Sequence, residues 1–132
     1  MASPARVLQD RTRNFAIRVV RLCRKIPATA EARIIGSQLL RSGTSVGANY
    51  RAVCRARSKA EFAAKMGLVI EEADETVFWL ELLLNLEIFR ENQLKDLLSE
   101  ANQLVAIFVS SRRTILRVDQ REESTAWHQI VS

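Results

Sequence analysis

The sequence has few of the residues that bend or cross-link a chain: four glycines, two prolines, two cysteines and one histidine among 132 residues. An all-β domain needs many tight turns, so this scarcity of glycine and proline argues against one. No apolar run reaches the roughly 18 residues that a membrane-spanning helix requires. The first residues also lack the apolar stretch of a secretory signal. We therefore expect a cytoplasmic protein that makes no use of a membrane.

The shortage of histidine and cysteine also limits the chemistry that the chain can perform. His128 lies near the end of the sequence, far from Cys23 and Cys54. No Cys-x-x-Cys or His-x-x-x-His spacing indicates a zinc site, and the sequence shows no convergent acid, base or nucleophile. We predict a protein that is not an enzyme and has no cofactor and no metal site. The two cysteines fall inside predicted helices and are expected to be reduced core residues.

Helical periodicity is the dominant pattern that the sequence does contain. Apolar residues recur at intervals of three and four over four segments, as on the buried face of a helix. The segments are residues 11–26, 30–57, 58–87 and 93–118. We predict an all-α fold, with a single four-helix-bundle domain over residues 1–132. Residues 1–10 show no clear period and are expected to be frayed, and residues 119–132 are predicted to be a mobile tail or a docking segment.

Local signals mark the predicted helix ends. Pro27 is expected to end the first helix, because the residue before a proline is disfavoured in helical conformation. Thr29 and Asn92 are candidate N-caps for the second and fourth helices. Ser58 and Glu61 fit a capping box, in which each side chain binds a backbone N–H at the start of the third helix.

The second predicted helix carries an unusual number of small residues. Gly36, Gly43 and Gly47 share one face beside the core face. Each interior glycine destabilises an isolated helix by about 1 kcal/mol relative to alanine, so tertiary contacts must offset the cost. Small residues allow two helix backbones to approach closely. We therefore predict close helix packing at these three glycines.

Charge is distributed unevenly along the chain. The net charge is +5, but residues 1–60 carry a balance of +11 and residues 61–132 a balance of −6. A basic surface of this kind is typical of proteins that bind a polyanion. The alternative is that basic helices pair with acidic ones inside an oligomer. The candidate nucleic-acid-binding residues lie on the first two helices: Arg13, Arg18, Arg21, Arg24, Lys25, Arg33, Arg41, Arg51 and Arg55.

The third predicted helix changes character along its outer face. Its first half is acidic, whereas its second half carries Phe78, Trp79, Leu82 and Leu86. Exposed apolar patches of this size usually mark contacts. We predict a subunit interface at these four residues; the alternative is that the N- or C-terminal tail covers them.

Three short segments carry a resemblance to a known family. They are residues 38–42 (QLLRS), 45–49 (SVGAN) and 58–62 (SKAEF). In type and order they resemble the signature of the 23S rRNA intervening-sequence proteins, also called four helix bundle proteins. That family includes the accessory variability determinants of diversity-generating retroelements. The resemblance extends over residues 15–115. Many members carry an acid shortly after the asparagine, where this chain has residues 50–53 (YRAV).

The resemblance implies an antiparallel up-down four-helix bundle, a homopentamer and no catalytic activity. Accessory members are thought to bind nucleic acid and a reverse transcriptase. Together with the basic helices, this predicts a non-enzymatic oligomer that binds the backbone of RNA or DNA, with RNA favoured. The alternative is a protein-interaction scaffold for a partner enzyme such as a reverse transcriptase. Arg41 has two interpretations: it binds nucleic acid, or it pairs with a third-helix acid such as Glu71 or Glu75 and has a structural role.

Overall fold

The computed structural model describes residues 2–117, which form four α-helices and no strand. The helices are α1 (Pro4–Cys23), α2 (Ala30–Val53), α3 (Lys59–Asn85) and α4 (Glu91–Arg117). The predicted all-helical class with four helices is confirmed. Within these residues no helix has the length and hydropathy needed to cross a membrane. The expectations for residues 119–132, and for the end of the fourth helix at residue 118, lie outside the described residues.

The start of α1 differs from the prediction. Residues 4–10 are helical, because the Ser3 hydroxyl caps the helix by accepting a hydrogen bond from the N–H of Arg6 at 3.2 Å. Pro4 occupies the first turn, where its missing N–H costs nothing. Ala5 is buried and Leu8 packs against the core. The expectation of a frayed start at residues 1–10 was therefore wrong for the described part of that segment.

The ends of α1 and α2 come earlier than predicted. After Cys23 the chain tightens into a turn, in which the N–H of Ile26 donates to the Cys23 carbonyl at 3.2 Å. Pro27 therefore lies beyond the turn that follows α1 and is not the residue that ends the helix. After Val53 the same change occurs, with the Ala56 N–H donating to the Val53 carbonyl at 3.0 Å. The predicted ends at residues 26 and 57 missed these tightened turns.

Two of the three predicted caps are present. The Thr29 hydroxyl accepts from the N–H of Ala32 at 3.4 Å, and the Ser58 hydroxyl accepts from the N–H of Glu61 at 3.0 Å. The Glu61 carboxylate reaches back to the N–H of Arg57, at 3.2 Å. Asn92 is not a cap, because α4 begins one residue before it. The side chain of the following residue, Gln93, accepts from the Arg90 N–H at 2.8 Å.

The C-terminal end of α3 is closed by a left-handed residue. Glu87 has φ of 57° and is the one non-glycine residue with positive φ in the described chain. Its N–H donates to the Leu84 carbonyl, and the N–H of Ile88 donates to the Leu83 carbonyl, each at 3.0 Å. This pair of bonds is a Schellman motif, which satisfies the last carbonyls of a helix. Glycine is the residue that usually occupies the position of Glu87.

The core runs between the four helices and takes large side chains from each of them. Its most completely buried members are Phe15 and Val19 on α1, Leu39, Val46 and Tyr50 on α2, Phe62, Met66, Leu80 and Leu83 on α3, and Leu94, Leu104 and Phe108 on α4. The Tyr50 and Phe108 rings meet with their centroids 5.4 Å apart.

The helices contact one another unequally. α2 packs extensively against α1 and α3, and α3 against α4, whereas α1 touches α4 only thinly. That thin contact includes polar links from Arg11, whose Nε lies 3.2 Å from an oxygen of Glu100 and whose Nη2 lies 3.3 Å from the Gln103 side-chain oxygen. The position of α1 therefore depends mainly on its packing against α2.

Candidate functional site

The three glycines of α2 all lie along the seam between α1 and α2. A Cβ atom placed on Gly43 would lie 2.8 and 2.9 Å from the two methyl carbons of Val19. One placed on Gly36 would lie 2.9 Å from Cδ1 of Ile26, and one on Gly47 would lie 3.3 Å from Cβ of Thr12. Distances near 3 Å are too short for carbon–carbon contact, so the two helices approach as closely as they do because α2 has no side chain there.

The seam opens at Gly47 into a surface depression of ≈ 230 Å³, which we call the α1–α2 groove. The depression is lined from α1 by Gln9, Thr12, Arg13 and Ala16 and from α2 by Thr44, Gly47, Ala48 and Arg51. Thr12 is almost fully buried, and its hydroxyl donates to the Gln9 carbonyl at 3.1 Å. The groove therefore combines small side chains, among them Ala16, Gly47 and Ala48, with one arginine from each helix.

The other candidate bases are spread over the first two helices. Arg21 and Arg24 line, together with Arg13, a second depression of ≈ 340 Å³ on the outer face of α1. Arg33 lines a third, of ≈ 290 Å³, at the opposite end of the α1–α2 seam. Arg18, Lys25 and Arg55 line none of these depressions: Arg18 is half-buried, and the other two are exposed.

Arg41 differs from the other eight candidate bases because it forms ion pairs. Its guanidinium binds the carboxylate of Glu75 and lies 3.1 Å from an oxygen of Glu72, so one of the two predicted partners, Glu75, is present and Glu71 is not. Gln38 accepts a third hydrogen bond, at 3.2 Å. None of the other eight forms an ion pair among residues 2–117. The charge of Arg41 is thus offset by two acids, whereas the charges of the other eight bases are free to bind an anion.

The Arg41 pair shifts the ionisation of Glu75. The hydrogen bond from Arg41 lowers the pKa of the Glu75 carboxyl below its ordinary value, and a second one, from the indole N–H of Trp79 at 3.2 Å, lowers it further. Both donors stabilise the charged carboxylate. Glu75 therefore joins α2 to the aromatic part of α3.

A buried hydroxyl pair lies directly inside this ion pair, and the sequence interpretation missed one of its members. The oxygens of Ser42 and Thr76 are 3.0 Å apart, and both residues are almost completely buried. Thr76 also lies 2.7 Å from the Glu72 carbonyl oxygen. The available signal was a threonine within the apolar periodicity of α3, flanked by Val77 and Leu80.

The apolar residues at the end of α3 have two different environments. Phe78 and Leu86 are exposed, by 55% and 51%. Trp79 and Leu82 are half-buried and pack against the core of their own chain. The Phe78 and Trp79 rings meet edge to face at 4.9 Å. Of the four residues predicted as a subunit interface, the structure leaves Phe78 and Leu86 most open to a partner.

The remaining reactive groups of the described chain are the thiols of Cys23 and Cys54. Both cysteines are free thiols and half-buried. Burial raises the pKa of the Cys23 thiol to about 11, so that this group is neutral near pH 7. Within residues 2–117 no group of three or more histidine, cysteine or acidic side chains is arranged to hold a metal ion. What the described surface offers is charge.

Comparison with known proteins gives two findings. The sequence profile of a family described as 23S rRNA-intervening sequence protein matches residues 6–110. Among solved structures, the chain is similar to the crystal structure of a protein of unknown function from the S23 ribosomal protein family of Bacteroides thetaiotaomicron VPI-5482. The two are 32% identical, the match covers 80% of this chain and 97% of that chain, and the TM-score is 0.74. No curated protein shows a significant match.

Proposed function

The chain belongs to the family of 23S rRNA-intervening sequence proteins, and from that premise we propose that it binds the phosphate backbone of nucleic acid, RNA in preference to DNA, at the α1–α2 groove. The observation that carries the proposal is the convergence of Arg13 and Arg51, from two different helices, on one depression. Neither arginine has an ion-pair partner among residues 2–117.

The chemistry of the groove suits a phosphodiester. Guanidinium groups bind phosphate oxygens through paired N–H donors, with a geometry that lysine lacks. Gly47 and Ala48 line the same depression and have small side chains, which leaves room for a phosphate beside the two arginines. Such contacts fix a backbone in place without reading sequence. Among residues 2–117 few aromatic side chains are exposed for base stacking, and we therefore expect binding that depends on backbone and shape.

We also propose that the protomer is an antiparallel up-down bundle that assembles into a homo-oligomer, with a pentamer as the expected size. Support for the antiparallel arrangement comes from the seam. Gly43 meets Val19 and Gly47 meets Thr12 on α1, while Gly36 meets Ile26 in the turn that follows α1, so the contacted residues fall in number as α2 rises. Exposed Phe78 and Leu86 support a contact with another chain. An oligomer would repeat the groove and multiply weak phosphate contacts into a usable affinity.

The test compares two charge-matched variants. The first is Arg13→Gln with Arg51→Gln. The control is Arg90→Gln with Lys95→Gln. It removes the same charge from two exposed positions that do not line the groove. Binding of a labelled structured RNA and of a matched duplex DNA is followed by fluorescence anisotropy over a salt series. Each lost phosphate contact lowers the slope of log K against log salt by about 1.

We expect the groove variant to lose affinity at least tenfold, with a slope reduced by about 2, and the control to stay near wild type. Equal loss in both variants would reject the groove as the binding site. If the wild-type protein binds neither nucleic acid at low salt, the proposed function fails. The scaffold hypothesis, with a partner enzyme such as a reverse transcriptase, would then be the one to pursue by affinity capture.

A further inference from the structure

Two surfaces of the protomer, one on α1 and one on α3, carry opposite charges. Each of them combines a depression with an exposed apolar side chain. The α1 face consists of the depression of ≈ 340 Å³ lined by Arg13, Ala16, Ile17, Val20, Arg21 and Arg24. The α3 face consists of a depression of the same volume, ≈ 340 Å³, lined by Asp74, Val77, Phe78, Glu81, Leu82 and Asn85. Each face has one projecting apolar side chain, Ile17 with 42% and Phe78 with 55% exposure.

The charges on the two faces have no partners within the described chain. Arg21 and Arg24 on the α1 face, and Asp74 and Glu81 on the α3 face, are exposed and form no ion pair among residues 2–117. Elsewhere on α3 an acid of the same kind, Glu75, is paired with Arg41. The protomer therefore exposes a basic rim around Ile17 and an acidic rim around Phe78, and each is the electrostatic complement of the other.

The two faces point away from each other. α3 packs against α2 and α4, α1 packs against α2 and touches α4 thinly, and α1 and α3 make little contact with one another, so they lie on opposite sides of the bundle. One protomer can therefore use its α1 face and its α3 face at the same time, with two different neighbours. A contact between unlike faces is heterologous, and repeating it produces a closed ring or an open filament.

We propose that the α1 face of one copy of this chain docks on the α3 face of a second copy, with Phe78 in the depression beside Ile17 and with Arg21 and Arg24 opposite Asp74 and Glu81. The inference rests on the homo-oligomer proposed above and identifies its two contacting surfaces. It also divides the bases of the first two helices. Arg21 and Arg24 belong to the subunit contact, and Arg51 remains on the α1–α2 groove.

Charge reversal tests this pairing through mixing. The basic-face variant is Arg21→Glu with Arg24→Glu, and the acidic-face variant is Asp74→Arg with Glu81→Arg. Light scattering gives the mass of each variant, and circular dichroism checks that its helicity and melting temperature match the wild type. We expect each variant alone to have a lower mass than the wild type. An equimolar mixture should associate into larger species than either variant alone, because each altered face then meets an altered complement. The two variants must alternate in such an assembly, so the mixture is expected to form chains or even-numbered rings and not a pentamer.

Cysteine cross-linking gives a second readout that needs no charge reversal. With Cys23 and Cys54, both free thiols, replaced by alanine, mild oxidation of the double variant Ile17→Cys, Phe78→Cys should produce a ladder of covalent oligomers, and the single variants should not. Covalent dimers from Phe78→Cys alone would show that α3 faces meet each other, and would overturn the inference. So would folded charge variants that keep the wild-type mass, or a mixture that does not reassemble. A wild-type protein that is monomeric at all concentrations would remove the proposed oligomer as well. Arg13 lines both the groove and the α1 face, so the single variant Arg51→Gln, with its mass checked by light scattering, tests the groove separately from the subunit contact.

Discussion

The hydroxyl oxygen of Thr76 lies 3.0 Å from that of Ser42, in a contact that neither side chain exposes to solvent. Arg41, which precedes Ser42 on α2, binds two acids of α3, Glu72 and Glu75, at the surface. Two consecutive residues of α2 thus hold α3, one from inside the bundle and one from outside. Both lie in the QLLRS segment that carries the family resemblance, which gives that segment a structural reason for its residue types.

Removing either hydroxyl should cost one buried hydrogen bond between α2 and α3. The hydroxyl that remains keeps a carbonyl partner on its own helix, Leu39 for Ser42 at 3.4 Å and Glu72 for Thr76 at 2.7 Å. We therefore expect Ser42→Ala and Thr76→Val each to lower the free energy of unfolding by about 0.5–1.5 kcal/mol. The double variant should lose less than the sum, because it removes both groups together. Urea denaturation of the four proteins measures the coupling. Strict additivity would mean that the two hydroxyls do not stabilise each other.

Alanine substitution at two glycines should have opposite effects. Gly43→Ala places a methyl within 3 Å of Val19, a β-branched residue with little rotamer freedom, and we expect it to destabilise by about 1–3 kcal/mol. Gly67 is also inside a helix, but a Cβ there meets nothing within 4 Å. Gly67→Ala should therefore stabilise by up to about 1 kcal/mol through helix propensity. Thermal denaturation of the two variants measures both effects. A Gly43→Ala variant more stable than the wild type would contradict the close packing of α1 against α2.

Glu75 should make stability depend on pH in the acid range. Its pKa is lowered in the folded state, first by Arg41 and then by Trp79. Its contribution is therefore present above the ordinary glutamate pKa of about 4.3 and is lost as the pH falls through the lower folded value. We expect Glu75→Gln to melt below the wild type at pH 7 and to converge with it towards pH 3. Glu71→Gln, at an exposed position without an ion pair among residues 2–117, is the control and should show no such convergence.

The left-handed residue after α3 offers a stabilising substitution. A non-glycine residue in this conformation costs about 1 kcal/mol or more, and Glu87 bears that cost at φ of 57°. Glu87→Gly should raise the free energy of unfolding by about 0.5–1 kcal/mol, after the greater flexibility of glycine in the unfolded chain is counted. Asn85→Gly, two residues earlier within the helix, should lower it. A destabilised Glu87→Gly would show that the side chain matters more than the backbone.

Local signals in the sequence predicted the four helices well. They did not predict the helix ends that are fixed by tertiary packing. The caps at Thr29 and Ser58 depend on nearby backbone groups and were identified correctly. The start of α1 was missed, although Ser3 followed by Pro4 is a good start signal, because residues 1–10 lack a clear apolar period. The ends after Cys23 and Val53 depend on turns that no residue type announces.

The charges of the candidate site were visible in the sequence, but their partners were not. Arg41 and Glu72 are 31 positions apart and meet only because α2 and α3 pack at one register. Arg13 and Arg51 share a groove for the same kind of reason, through the glycine seam. Trp79 looked like part of an exposed patch, yet its indole N–H binds Glu75. Periodicity predicts which face of a helix is apolar, and it does not predict which helix covers that face.

The unequal attachment of α1 has a consequence for the dynamics of the protein. Its seam with α2 is built from glycines against stiff side chains, and its contact with α4 is thin and partly polar. Such an interface has little freedom to adjust gradually, so we expect α1 to separate as one cooperative unit while α2, α3 and α4 remain packed. Backbone amides of α1 should then exchange with deuterium at a lower opening free energy than those of α3. The α1–α2 groove exists only while α1 is in place, and a bound polyanion should therefore slow that exchange.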